Sequence, residues 1–424
     1  MPKIGDGLDA VTAFAGAAAA GMSLFLPFTF GDDSAIDSPY RVTSLINSVP
    51  RAAALGLIVA VVVAVLARPI TRPGLVWLAA TAGALALAIN YAVGEAMISA
   101  DVLTTQNYID SLFGGVLFGA LCICAWRMRW SAVGFGLGIV VVFVYGEVVA
   151  VFTSNASATA DKAVHTPFWL VGAAVVLLAV NTVRHRHGIM LPAVPRMAAD
   201  LPITPIIATT VLSLSLLIAT EWLGREFDGR KGNFWQIAIA VTVTLVAAFV
   251  AALLLPGRDG SGVLLAVSVA AAADSLGDSS NLGWHLLLVL VVGALAILAG
   301  LRWAAPWGVL LGAGAVCAFA ALAEYIPLAL AWPAGVMLLT WVTGFAVGST
   351  RVTYLPSAML GLGALFLPSI LWSIPTGKRH WPTGSDAVAE RVPGQVALAI
   401  TLGAAAGLAV LYQLRPAPAR VPQQ

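Results

Sequence analysis

The sequence predicts an all-α polytopic integral membrane protein, with two parallel six-helix repeats followed by about two further helices. Three observations lead there. Of 424 residues, 60% are hydrophobic and 10% charged, with a mean hydropathy of +0.94, whereas about a quarter of the residues in a soluble domain are charged. The apolar runs are mostly 17 to 23 residues long, enough at about 1.5 Å per residue to cross a hydrocarbon core of about 30 Å. They are apolar all round rather than alternating, which excludes the strands of a β-barrel. The third observation is a recurrence. Arg129-Trp130-Ser131-Ala132, followed by Gly134 and Leu137-Gly138, returns as Arg302-Trp303-Ala304-Ala305, followed by Gly308 and Leu311-Gly312. Each copy lies where an apolar helix ends on arginine and a Gly-rich helix leaves in the opposite direction, so two related halves are expected.

Taken in order, helices are predicted at 8–28, 52–68, 74–97, 111–128, 131–153 and 167–184, the first half (1–184). The stretch 185–202, with His185, Arg186, His187, Pro192, Pro195, Arg196 and Pro202, reads as a basic, proline-broken connector. A second half (203–349) follows at 203–223, 233–255, 262–276, 285–303, 305–325 and 332–349. The remainder (350–424) adds helices at 354–374 and 394–414 and a tail. The ninth helix is interrupted by Asp274, and the thirteenth carries Pro356, Pro368 and Pro375. Either can be re-entrant, so twelve to fourteen spans are expected. An even number of helices per half gives both halves one orientation and puts the repeat axis along the membrane normal. Only Lys3 precedes the first helix and no cleavage site follows it, so it is expected to be retained.

With the N-terminus inside, the inner segments hold thirteen Lys and Arg against four acids, and the outer segments nine against sixteen. Short basic inner turns therefore predict that both termini are cytoplasmic, in a plasma membrane. Cys122, Cys124 and Cys317 lie inside predicted helices and read as small packing residues. No nucleotide-binding loop, zincin pair, nucleophile elbow or dinucleotide fingerprint is present, so no cofactor, metal or nucleic-acid partner is expected.

Ionisable groups inside hydrocarbon are costly and usually face a cavity or a partner, so the helix carboxylates are the candidates. Counted from the inner end, Glu147 lies about 25 Å across, Glu221 about 27 Å, Glu95 and Glu324 about 30 Å, and Asp274 only about 18 Å. Glu147 and Glu324 hold similar places in the two halves and could line one outward vestibule. A solvated, interfacial role competes for each. Asp274, placed deepest, is the candidate for proton coupling. Asn90 and Tyr91 are further candidates for contact with substrate, and Asn181 and Gln236 are as well explained by hydrogen bonds between helices. In the first outer loop, Asp32, Asp33 and Asp37 resemble the acidic residues of polyprenyl-phosphate-dependent membrane glycosyltransferases, which would imply an outer catalytic or metal-binding site.

Two parallel six-helix halves, a basic connector and cytoplasmic ends resemble the major facilitator-type secondary transporters over residues 8–349. Between its second and third helices that family carries Gly-x-x-x-Asp-Arg-x-Gly-Arg, where this chain has Arg68-Pro69-Ile70-Thr71-Arg72-Pro73-Gly74. The resemblance implies a secondary transporter, open to proton coupling. So few midplane charges favour an amphipathic or weakly charged substrate, small or lipid-like, within the bilayer. A glycosyltransferase using a lipid-linked donor and a non-transporting membrane scaffold are the competing classes.

Overall fold

The structure is a computed structural model and describes residues 4–25, 39–94, 100–144, 168–188, 203–228, 233–276, 285–322, 331–350, 354–374 and 391–416. Within these the chain forms fourteen α-helices and no strand. Eight helical stretches, one of them the thirteenth helix taken together with its 3₁₀ turns (Leu355–Ser373), are long and apolar enough to cross a membrane, and six are shorter apolar helices. The protein is an all-α polytopic membrane protein. The first six helices are α1 (Ile4–Phe25), α2 (Pro39–Ala67), α3 (Pro73–Gly94), α4 (Ala100–Ala125), α5 (Arg129–Val144) and α6 (Phe168–Arg184). Then come α7 (Thr204–Asp228), α8 (Phe234–Leu254), α9 (Ser261–Leu276), α10 (His285–Arg302), α11 (Pro306–Leu322) and α12 (Ala331–Ser349). The last two are α13 (Leu355–Gly363), continued by 3₁₀ turns at Ala364–Phe366 and Ile370–Ser373, and α14 (Arg391–Leu414).

Four elements differ from expectation. α2 begins at Pro39 and runs through Pro50, and α4 begins at Ala100 rather than 111, so stretches expected as polar loop are helical. The thirteenth element is helical for only nine residues before Pro368 breaks it, since proline lacks the N–H that a continuing helix needs. The ninth passes through Asp274 without interruption.

One end of the bundle is basic. There Arg127 donates from Nη2 to the Arg68 carbonyl at 3.3 Å, and Arg184 donates from Nη1 to the Gly5 carbonyl and to Asp9, with His185 on the same carboxylate oxygen. Arg258 donates from Nε to the Arg415 carbonyl, and Arg415 in turn binds the Leu253, Leu255 and Gly257 carbonyls. These orphan carbonyls at the end of α8 and in the turn after it gain charged donors.

Burial sorts the helices. The best spanning windows of α1 and α4 are 72% buried and that of the thirteenth element 83%, against 39% for α3 and α8. In α9, nearly every residue from Gly262 to Ala272 is enclosed. The exposed apolar residues at the start of and along α7 (Ile203 just before it, then Ile207, Leu214, Ile218) and of α8 (Ile239, Val243, Val246, Val250) recur at helical spacing, which makes lipid-facing stripes. Exposed Trp169 and Trp235 toward the opposite end, and Trp303 and Trp307 at the basic end, occupy the places of interfacial belts.

Among α1–α6, α1 packs on α5, α4 and α6, α2 on α4, and α3 on α4 and α6. The same pattern recurs in α9–α14: α9 packs on α13, α12 and α14, α10 on α12, and α11 on α12 and α14. Superposing 8–184 on 203–349, as the Arg-Trp match suggested, would require α7 to lie along α11 and α8 along α10. Neither pair is in extensive contact; α7 lies on α8 and α2. The Arg-Trp recurrence lies at the turns between α4 and α5 and between α10 and α11. Contact between the two sets runs through α5 with α10 and α12, and through α13 with α2 and α4.

Glycine sets the closest approaches. A Cβ on Gly115 would stand 2.5 Å from the Gly56 carbonyl, and one on Gly119 would overlap the Ala60 carbonyl, so α4 meets α2 backbone to backbone. Gly344 and Gly348 of α12 meet the carbonyls of Gly293 and Ile297 on α10 in the same four-residue step. Without a hydrophobic drive between helices in lipid, such small-residue contacts let van der Waals packing hold them.

Candidate functional site

The interruption of the thirteenth element lies in the middle of the protein. α13 is nine residues long, so the helix stops about 13 Å from the basic end, close to half the hydrocarbon thickness. Non-helical backbone at that depth persists only when protein or water covers it. Here α9 lies against both 3₁₀ turns and α7, α8 and α14 pack on the second, so α7 and α8 keep lipid off the break. Phe366, at the start of the break, stands where a Cβ added at Gly21 of α1 would meet its ring at 3.5 Å, and it meets Phe118 of α4 and Phe143 of α5 edge-on at 6.1 Å. One non-helical segment thus touches both sets of helices.

Polar groups gather around it. Ser369 donates from its backbone N–H (3.2 Å) and its hydroxyl (2.6 Å) to Asp274 Oδ2, and its own Oγ accepts from the Leu371 N–H. Ser369 therefore caps the second 3₁₀ turn, and Asp274 holds that cap in place. The Ser373 hydroxyl donates to the Thr220 carbonyl of α7 at 2.7 Å. One residue further on α7, Glu221 takes a two-pronged ion pair from Arg51 of α2, at 2.6 and 3.0 Å, with Arg225 at 3.4 Å.

A second cluster joins α2, α3 and α4. Asn90 donates from Nδ2 to Asp110 Oδ1 at 2.7 Å, and Tyr91 also hydrogen-bonds the Asp110 carboxylate. One turn before Asp110, Gln106 donates to the Asn90 carbonyl at 3.4 Å, and Asn107 donates to Ser48 Oγ at 3.0 Å. Gln106, Asp110, Ser111 and Ser48 are all buried.

Of the residues singled out from sequence, Asn90 and Tyr91 stand together in this second cluster, while Asp274 and Glu221 belong to the region around the break. Glu95, Glu147, Glu324, Asp32, Asp33 and Asp37 lie outside the described residues. Sequence reasoning missed Asp110, Gln106 and Ser48, because α2 and α4 begin earlier than hydropathy suggests. It also missed Arg51, Ser369 and Phe366. The available signal was the four-residue step from Gln106 to Asp110 directly ahead of an apolar run, which places both on one helix face. Among the described residues, no group of three or more His, Cys, Asp and Glu is arranged to hold a metal.

At the basic end, the Arg68 guanidinium lies 4.3 Å over the Tyr354 ring, whose backbone N–H is bound by Asp259 Oδ2 at 2.9 Å. This stacking links the end of α2 to the start of α13. Arg127 beside it is half-buried, and loss of solvent lowers its guanidinium below the ordinary arginine value.

No protein-family model matches the chain, and no curated protein matches it. A solved structure of the nucleoside transporter NupG, in a single-site mutant form, aligns over 96% of this chain and 99% of its own at 10% identity, with a TM-score of 0.27. That score is too low to carry an argument.

Proposed function

We propose that the chain is a secondary membrane transporter in which α1–α6 and α9–α14 are related six-helix bundles that rock against each other, with α7 and α8 as an inserted pair. The observation that carries this reading is the recurrence of helix contacts in the two sets. The Gly115/Gly119 contact with α2 reappears as the Gly344/Gly348 contact with α10. The arginine closing α6 holds the start of α1, and Arg415, after α14, holds the turn ahead of α9 at the Gly257 carbonyl. Such a repeat, with each bundle contacting the other through few helices, is the arrangement by which transporters alternate access. The basic end is the cytoplasmic one in this reading, by the excess of Arg in its short turns.

The substrate class follows from the lining available. The buried interior is dominated by Ala, Leu, Val and Ile with scattered hydroxyls and amides, so an amphipathic or weakly charged compound suits it better than a multiply charged one. The test is exchange of a panel of weakly charged amphipathic compounds in proteoliposomes, before and after a disulfide is closed between Arg68→Cys and Tyr354→Cys. Saturable exchange of at least one compound, lost on oxidation and restored on reduction, is expected. No exchange of any compound beyond protein-free vesicles would count against the reading.

A further inference from the structure

Three carboxylates are buried among the described residues, and they are not alike. Asp9, 2% exposed, faces Arg184 at 2.7 Å and His185 at 3.2 Å. Asp259 sits in the turn at the basic end, on the Tyr354 N–H. Asp110 is 7% exposed and lies about 22 Å along α4 from the basic end, well within the span. Its hydrogen-bond partners are an amide and a phenol, Asn90 and Tyr91, both neutral.

Among the described residues, the packed helices supply no free cation there. From α2 comes Arg51, committed to Glu221 and adjoined by Tyr108. From α3 comes Tyr91. The acids of α1, Asp6 and Asp9, and Arg129 of α5 lie at the basic end, and α13 carries no charged residue. One turn from Asp110, the Gln106 side-chain carbonyl is buried with no hydrogen-bond donor, although its amide is used. The site therefore lacks two things: a positive charge for the carboxylate, without which its burial is very costly, and a donor for a buried acceptor four residues away on the same helix face. One proton supplies both.

We propose that Asp110 is a proton-binding site within the membrane, its protonated carboxyl donating to Gln106 Oε1 while the other oxygen accepts from Asn90 Nδ2. In the forward step the carboxylate takes one proton from water on one side, and in the reverse step returns it to water; no other bond changes. As the proton carrier of transport, Asp110 rests on the reading given under Proposed function; as a proton site it does not.

Infrared spectra of the full chain in lipid vesicles, recorded from about pH 5 to about pH 9, test the site. A carboxylic-acid band that shifts in deuterium oxide is expected in the parent, absent in Asp110→Asn and retained in Asp274→Asn. Gln106→Leu should move the band to higher frequency, because the O–H loses its acceptor. Asn at 110 keeps the shape and can donate to Gln106, so the variant should fold, and its unfolding temperature provides the check. A spectrum in which the parent and folded Asp110→Asn are identical at every pH overturns the proposal. For coupling, Asp110→Asn should lower pH-gradient-driven accumulation at least tenfold, and parent-like accumulation would remove Asp110 from that role. Persistence of the band in a parent protein that exchanges no compound would uphold the proton site and sink the transporter reading instead.

Discussion

Replacing Asp274 separates two roles that its sequence position left open, a proton carrier or a helix-end group. Its Oδ2 receives both the N–H and the hydroxyl of Ser369, which is 5% exposed. Asp274→Ala takes the acceptor from both donors of buried Ser369, at a position where Asp274 itself is half-buried. A stranded buried donor costs about 1 to 3 kcal/mol. The hydroxyl bond, short and made to a charged acceptor, belongs near the top of that range and the longer N–H bond near the bottom. The loss should total about 2 to 4 kcal/mol. Asp274→Asn keeps an acceptor oxygen in place and should cost about 1 kcal/mol. The assay is unfolding in mild detergent, followed by labelling of Cys122, Cys124 and Cys317 with a thiol-reactive fluorophore, since all three are buried. An alanine variant within about 0.5 kcal/mol of the parent, or an asparagine variant as damaged as alanine, would refute the cap-holding role.

Other perturbations have graded expectations. Gly119→Leu and Gly348→Leu should each sharply lower the yield of folded protein, by similar amounts, because both put a side chain into a carbonyl of the partner helix; monodispersity on size exclusion reads this out, and normal behaviour of either would break the equivalence of α4 with α12. The Arg51–Glu221 pair should be worth about 1 kcal/mol or less in a double-mutant cycle, since Arg51 is 44% exposed. Asp9→Ala should destabilise by about 1 to 3 kcal/mol, leaving Arg184 and His185 beside a cavity. Cysteines placed at Arg68 or Arg186 should resist an impermeant thiol reagent added outside intact cells while one placed within 382–390 reacts; the opposite pattern would invert the orientation.

Hydropathy made the helices legible because the bilayer imposes a minimum length on each. Apolar ends are fixed by where lipid stops, and polar ends are not. That is why Asn107 and Asp110 read as loop and proved to be helix, with their polarity turned toward α2 and α3 instead of water. The break after Gly363 was legible as three prolines, but its depth and its cover by α7 and α8 were not, since both depend on which helices become neighbours. The Arg129-Trp130 and Arg302-Trp303 recurrence falls at two turns, and a turn of few residues encodes a hairpin, not the helix partners beyond it. The Gly115/Gly119 and Gly344/Gly348 spacings, two among many in a chain with 41 glycines, mark the places where α4 meets α2 and α12 meets α10 backbone to backbone.

The central claim, two bundles that rock with α7 and α8 set aside, is tested most directly by paired spin-label distances in lipid vesicles. One pair spans the basic end, at Arg72 beside α3 and Trp303 beside α11; the other spans the opposite end, at Phe168 of α6 and Gln395 of α14, and all four positions are exposed. The account predicts two distance populations at each end, with conditions that lengthen one pair shortening the other. A single unchanging distance at both ends, across pH and in the Asp110→Asn variant, would contradict it.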